Sequence, residues 1–243
     1  MEIKIEVLDK LFERFVEFVE IQDKQPFSSF QSSLYFFKRE NYKYSVYDDA
    51  RENLSTKFWS PDDVGTGRIQ EKVSSAIKTR VYHDFQMIDN NLVDWRKKDD
   101  FSKRPVSKSL EKTLFNLYKS KIKDSEAFEQ LMEENLSYQF IAYLFFIKDK
   151  QRFMPISQEI FDNVFHNLLG LYEFKTSGNV SWGNYETYNR IIKNVQIYLK
   201  TKDKNVTLLD AHSFLFIAVE FMGKSDTVIK SHIEESGYIL YST

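Results

Sequence analysis

Residues 151–199 read QRFMPISQEIFDNVFHNLLGLYEFKTSGNVSWGNYETYNRIIKNVQIYL, and TLLDAHSF follows at 207–214. A Pro-Ile-Ser start leads into Ile160, Phe161, Val164, Phe165 and Leu168 at helical spacing, and Gly170 stops the run. A linker, LYEFKTSGNVSW, precedes a second periodic stretch: Tyr185, Tyr188, Ile191, Ile192, Val195, Tyr198 and Leu199. Thr207 or Asp210 then opens a third helix, LLDAHSFLFIAVEFMG, ended by Gly223. Three helices with short polar links set the fold class, which is mainly α.

Working outward, the chain has 243 residues, 22 Phe and 14 Tyr, but only 7 Gly and 4 Pro. Many rings and few breakers favour long helices over many short strands. Leu8, Leu11, Phe12, Phe15, Val16 and Val19 form a stripe near the N-terminus, and Pro26 separates it from Phe27, Phe30, Leu34 and Phe37. YKYSVY at 42–47 alternates as a short strand would. With the C-terminal GYILYST it allows a small two- or three-stranded sheet. A helix begins at Asp89–Trp95. Leu110, Leu114, Leu117 and Tyr118 mark another. Asp124 or Ser125 caps the most apolar helix, whose second half, FIAYLFFI, is central to the core. The charged break at 148–152 suggests two helical subdomains, 1–150 and 151–243.

The chain has no Cys, which excludes disulfides, thiolate nucleophiles and Cys-ligated metals and fits a reducing cytoplasm. MEIKIEVLDKLFERF is acidic and not a signal peptide, and the longest apolar run, Phe140 to Ile147, is too short to span a bilayer. The expectation is a cytoplasmic protein that does not enter the membrane.

Net charge is −2 but uneven: residues 95–123 carry ten basic side chains against three acidic. A cluster of that sign attracts polyanions. Arg96, Lys97, Lys98, Lys103, Arg104 and Lys108 are the candidate nucleic-acid contacts. Trp182, Asn184 and Tyr185 at the helix start after the linker offer two rings and an amide that would stack on and read a base. The alternatives are a solvated helix face for the first set and a loop pinned to the core for the second.

Other chemistry is thinner. Gly65-Thr66-Gly67-Arg68 resembles a phosphate-cradling turn but lacks the Gly-Lys-Ser/Thr of a phosphate loop. It reads better as a capped turn. The four His lie on separate elements without metal-binding spacing, and Asp210 and His212 fit a structural polar cluster in which Asp210 caps the helix. No metal or other cofactor is implied. Glu173-Phe174-Lys175 is the half-motif of Mg²⁺-dependent restriction-type nucleases, with Asp162 upstream at a suitable distance but inside a strongly periodic helix. Such a site requires both carboxylates on adjoining strands.

FMPISQEIFDNVF, EFKTSGNVSWGNY and LLDAHSF together resemble a bacterial module of restriction and phage-defence proteins that accompanies nuclease or AAA-type ATPase domains. The matching positions run from Phe153 to Phe214, with Gly183 where the pattern often has Glu. The resemblance implies company with DNA-targeting machinery, and no catalytic residues. The expected role is a non-catalytic nucleic-acid-binding or adaptor domain, with DNA or RNA and a nuclease or ATPase protein as partners. The alternatives are a Mg²⁺-dependent nuclease using Glu173 and Lys175, or a protein–protein interaction domain.

Overall fold

A computed structural model describes residues 3–219. In chain order its elements are α1 (Ile5–Asp23), α2 (Leu34–Glu40), α3 (Tyr42–Leu54), α4 (Arg68–Ile77), β1 (Arg80–His83), β2 (Gln86–Asp89), α5 (Trp95–Ser102) and α6 (Lys108–Tyr118). There follow α7 (Asp124–Glu133), α8 (Tyr138–Lys148), α9 (Gln158–Asn163), α10 (Trp182–Leu199) and α11 (Leu208–Ala218). The fold is mainly α. No helix among the described residues is long and apolar enough to cross a membrane.

The chain forms two units, and neither follows a single cut at residue 150. Of the described residues, one takes 3–41, Gln158–Gly178 and 190–219; the other takes Tyr42–Ser157 and Asn179–Asn189.

In the first unit the core is a nest of phenylalanine rings. Phe15, Phe30 and Phe214 are buried, with Phe15 centred 5.4 Å from Phe30 and 4.9 Å from Phe214. Such pairs add about 0.5–1.5 kcal/mol each beyond the area they bury. Pro26 does not start a helix; α2 begins at Leu34, where Ser33 caps it by accepting from the Phe36 amide at 3.0 Å. On α1, Asp9 accepts from the Tyr198 hydroxyl (2.6 Å) and the Lys202 ammonium (3.0 Å). Those bonds, the tyrosine's first, hold its pKa below the usual carboxylate value. A carboxylate depressed on folding contributes stability that is present above its unfolded pKa and lost as pH falls through its folded pKa. Asp9→Asn should therefore flatten the acid limb of a melting-temperature–pH curve below about pH 4. An unchanged limb would refute this.

In the second unit α8 is the axis. Ser137 caps it, and Phe140 through Ile147 are all buried, as an all-round apolar helix must be. The apolar run expected as one long helix is two, α7 and α8, because Asn135 adopts a left-handed φ of 56° between them. The expectation of a strand at 42–47 is wrong: this stretch opens α3, where Tyr42, Val46, Ala50 and Leu54 recur every fourth residue and are buried. The sheet is instead the antiparallel hairpin β1–β2, pairing Tyr82 with Met87 and His83 with Gln86. Asp84 (φ 45°) and Phe85 (φ 64°) form its two-residue turn, the positive-φ geometry that suits a twisted hairpin. The proposed C-terminal strand lies outside the described residues.

Candidate nucleic-acid interface

The Gly65–Arg68 turn does gather backbone amides, but a side chain of the same unit fills it. Glu111 of α6 is fully buried, with Oε2 accepting from Gly65 (2.7 Å) and Gly67 (3.1 Å) and Oε1 from Ile69 (2.9 Å) and Gln70 (3.0 Å). Gly65 and Gly67 sit at φ 91° and 90°, and a Cβ on Gly67 would lie 2.9 Å from Val106 Cγ2. Glycine is required there by both backbone and space. The carboxylate occupies the place a phosphate would take.

Asp162 is committed in a similar way. It accepts from the amide (2.5 Å) and hydroxyl (2.7 Å) of Thr176, and from the amide (3.2 Å) and hydroxyl of Ser177. These bonds hold the FKTSG turn against α9. Glu173 and Lys175 are exposed on either side of the buried Phe174. The only strands among the described residues are β1 and β2, so the paired-strand scaffold of a restriction-type nuclease is not built around Glu173. No group of three His, Asp or Glu among the described residues could share a metal ion.

In the first unit Thr207 and Asp210 form a capping box at the start of α11, Asp210 Oδ2 accepting from the Thr207 amide at 2.8 Å. His212 is buried with its ring 4.8 Å from that of Phe161.

The aromatic turn at the head of α10 faces inward. Tyr185 is fully buried and donates its hydroxyl to the carbonyls of Met154 (2.9 Å) and Ala142 (3.2 Å). Asn184 accepts from the Tyr138 hydroxyl at 2.9 Å. The half-buried Trp182 packs its ring 5.7 Å from Phe145 and 6.0 Å from Phe128, and its amide donates to Glu129. The expectation of base contacts at this turn is corrected for Tyr185, whose ring has no open face. These residues fasten the head of α10 to the core of the second unit.

The basic segment is sorted by the local structure. Asp94 caps α5 through the Arg96 amide. Lys98 turns back, donating its ammonium to the Asn90 carbonyl, and burial lowers its pKa against the opposing pull of Asp89 and Asp94. Lys103 is exposed but paired with Asp99 at 2.6 Å, which raises its pKa. Lys108 and Lys112 are exposed, one turn apart on α6, while Leu110, Leu114 and Leu117 are buried. Lys108 also lays its stem beside Gly65. Arg96 and Lys97 are exposed. Between them and the N-cap stands a residue the sequence reading passed over: Trp95 is 66% exposed, with the Arg96 guanidinium 5.2 Å from its ring centroid.

Lys97 and Arg104 also line one cleft of about 630 Å³, with Phe101, Met132, Leu136 and Phe140 among its walls. No protein-family model matches the chain, and no curated protein or solved structure is similar to it.

Proposed function

We propose that this chain is a non-catalytic nucleic-acid-binding or adaptor domain. Its contact surface would be the first turn of α5 and the segment beyond it: Trp95, Arg96, Lys97, Arg104 and Lys108. The observation that carries this reading is Trp95, a large exposed ring beside the Arg96 guanidinium. A ring left in water costs hydrophobic free energy, and stacking on a base recovers it while the adjacent cations meet phosphates. A role beside nucleases or ATPases of DNA-targeting systems rests on the sequence resemblance alone.

The test is oligonucleotide binding across a salt series. Affinity should fall steeply with salt, and Arg96→Gln with Lys97→Gln should reduce the log–log slope by about 2, as expected for two lost phosphate contacts. Lys98→Met should leave the slope unchanged, because that ammonium already serves Asn90. Absence of binding at low salt would end this reading.

A second reading has its own observation. Tyr82 (66%), Phe85 (89%) and Met87 (53%) are exposed on the hairpin, with Phe85 at its tip in a left-handed conformation unusual for a bulky residue. Apolar exposure of this kind marks protein contacts. If Phe85→Ser abolishes association with a partner protein while the α5 variants do not, the interaction-domain reading replaces the first.

A further inference from the structure

Arg104 lies just past α5, in the cleft of about 630 Å³ within the second unit. Lys97, Asp100, Phe101 and Arg104 follow at spacings of three, one and three residues, so one side of α5 and its C-terminal turn forms one wall. The opposite wall is the left-handed turn between α7 and α8, with Met132, Asn135 and Leu136, and Phe140 of α8 closes the floor.

Three features give this cleft a chemistry. Its floor is apolar: Phe101 and Phe140, buried and stacked on each other at 4.7 Å, lie beneath Met132 and Leu136, so a ligand meets an apolar surface there rather than an open ring face. Its rim carries two cations, Lys97 and Arg104, against one carboxylate, Asp100. And Arg104 Nη1 is shut off from solvent with no hydrogen-bond partner among the described residues. Asp100 stands one turn earlier, yet no ion pair among the described residues joins it to Arg104. That nitrogen lies beneath the cleft surface, so it leaves the Arg104 charge uncompensated beside the cleft rather than offering a donor that an incoming group can touch. The volume is within the range of small-ligand sites.

We infer that the cleft between α5 and the α7–α8 turn receives one unpaired nucleotide, its phosphate on Arg104 and Lys97 and its base over the apolar floor. Asn135 and Asp100 at the rim supply an amide and an acceptor for the base edge. This rests on the nucleic-acid reading and narrows it from polyanions in general to strands with an unstacked base, because a paired base cannot leave its duplex without an unpairing cost.

The test uses the full chain, an eight-nucleotide single strand, a duplex of the same sequence, and adenosine 5′-monophosphate, adenosine and inorganic phosphate as competitors. The single strand should bind at least roughly tenfold tighter than the duplex, the scale of one stacked base. The monophosphate should compete with it better than adenosine or phosphate does. Arg104→Gln should remove the strand preference. Asn135→Asp, which keeps the size and the left-handed conformation but adds a repelling charge, should weaken the single strand in a chain whose circular dichroism is unchanged. Equal binding of strand and duplex, or a preference unmoved by both variants, would overturn the cleft while leaving the general reading intact. Failure of every oligonucleotide to bind at low salt would remove both.

Discussion

Replacing Glu111 with alanine is expected to destabilise the protein by about 2–6 kcal/mol, on the scale of two buried amide donors left unpaired at about 1–3 kcal/mol each. Four backbone amides converge on one carboxylate with no exposed surface. Two belong to the first turn of α4, where the helix dipole favours negative charge, and two to a turn held open by Gly65 and Gly67. Removal of the carboxylate leaves the Ile69 and Gln70 amides buried and unpaired, while those of Gly65 and Gly67 are open in part to water. Glu111→Gln separates charge from shape: its carbonyl oxygen can still accept from one pair of amides, but its NH₂ confronts the other pair donor to donor. The glutamine variant should therefore lose nearly as much as the alanine variant. Urea unfolding reads both, as a lowered midpoint at an unchanged slope. A glutamine variant unfolding at the wild-type midpoint would show that the carboxylate is not what closes this turn.

The same carboxylate shows what a sequence read residue by residue conceals. Glu111 sits in SLEKTLFNL like any charged helix residue, and its partners lie more than forty residues earlier in the chain. Leu114 and Phe115, three and four residues on, place it beside the buried stripe, but nothing local names the amides it meets. Signals that act locally were legible: the helix start at Thr207 or Asp210 is the start of α11, and the all-round apolar FIAYLFFI is the buried α8. The hairpin was missed because its turn is Asp84-Phe85, without the glycine that usually advertises two positive φ values. Tyr42–Tyr47 was misread because six alternating residues also fit the first turns of a helix; the four-residue recurrence is decisive only when extended to Leu54. Trp95 was overlooked for a related reason. Trp95 and Trp182 both stand at helix starts, and only three-dimensional packing tells the exposed ring from the half-buried one.

That contrast sets up the other large effect, at Tyr185. Its ring stacks 5.7 Å from Phe128 and 6.0 Å from Phe153, with Phe145 and Tyr138 edge-on at 5.9 Å. Truncation to alanine would open a cavity among these rings and should cost about 3–5 kcal/mol, the range for large aromatic residues in a close-packed core. Tyr185→Phe keeps the ring and deletes only the hydroxyl, stranding the Met154 carbonyl for about 1–3 kcal/mol, while that of Ala142 keeps its bond within α8. The two variants separate a core role from a contact role, because a base-stacking tyrosine tolerates loss of its hydroxyl and shows its value in binding rather than in stability. A core tyrosine does the reverse. At temperatures where both remain folded, oligonucleotide affinity should match wild type for Tyr185→Phe, whereas Trp95→Ala should weaken it with no change in the urea midpoint. If Tyr185→Phe instead unfolds like wild type but no longer binds, the contact surface lies at the head of α10, and the assignment to α5 falls with it.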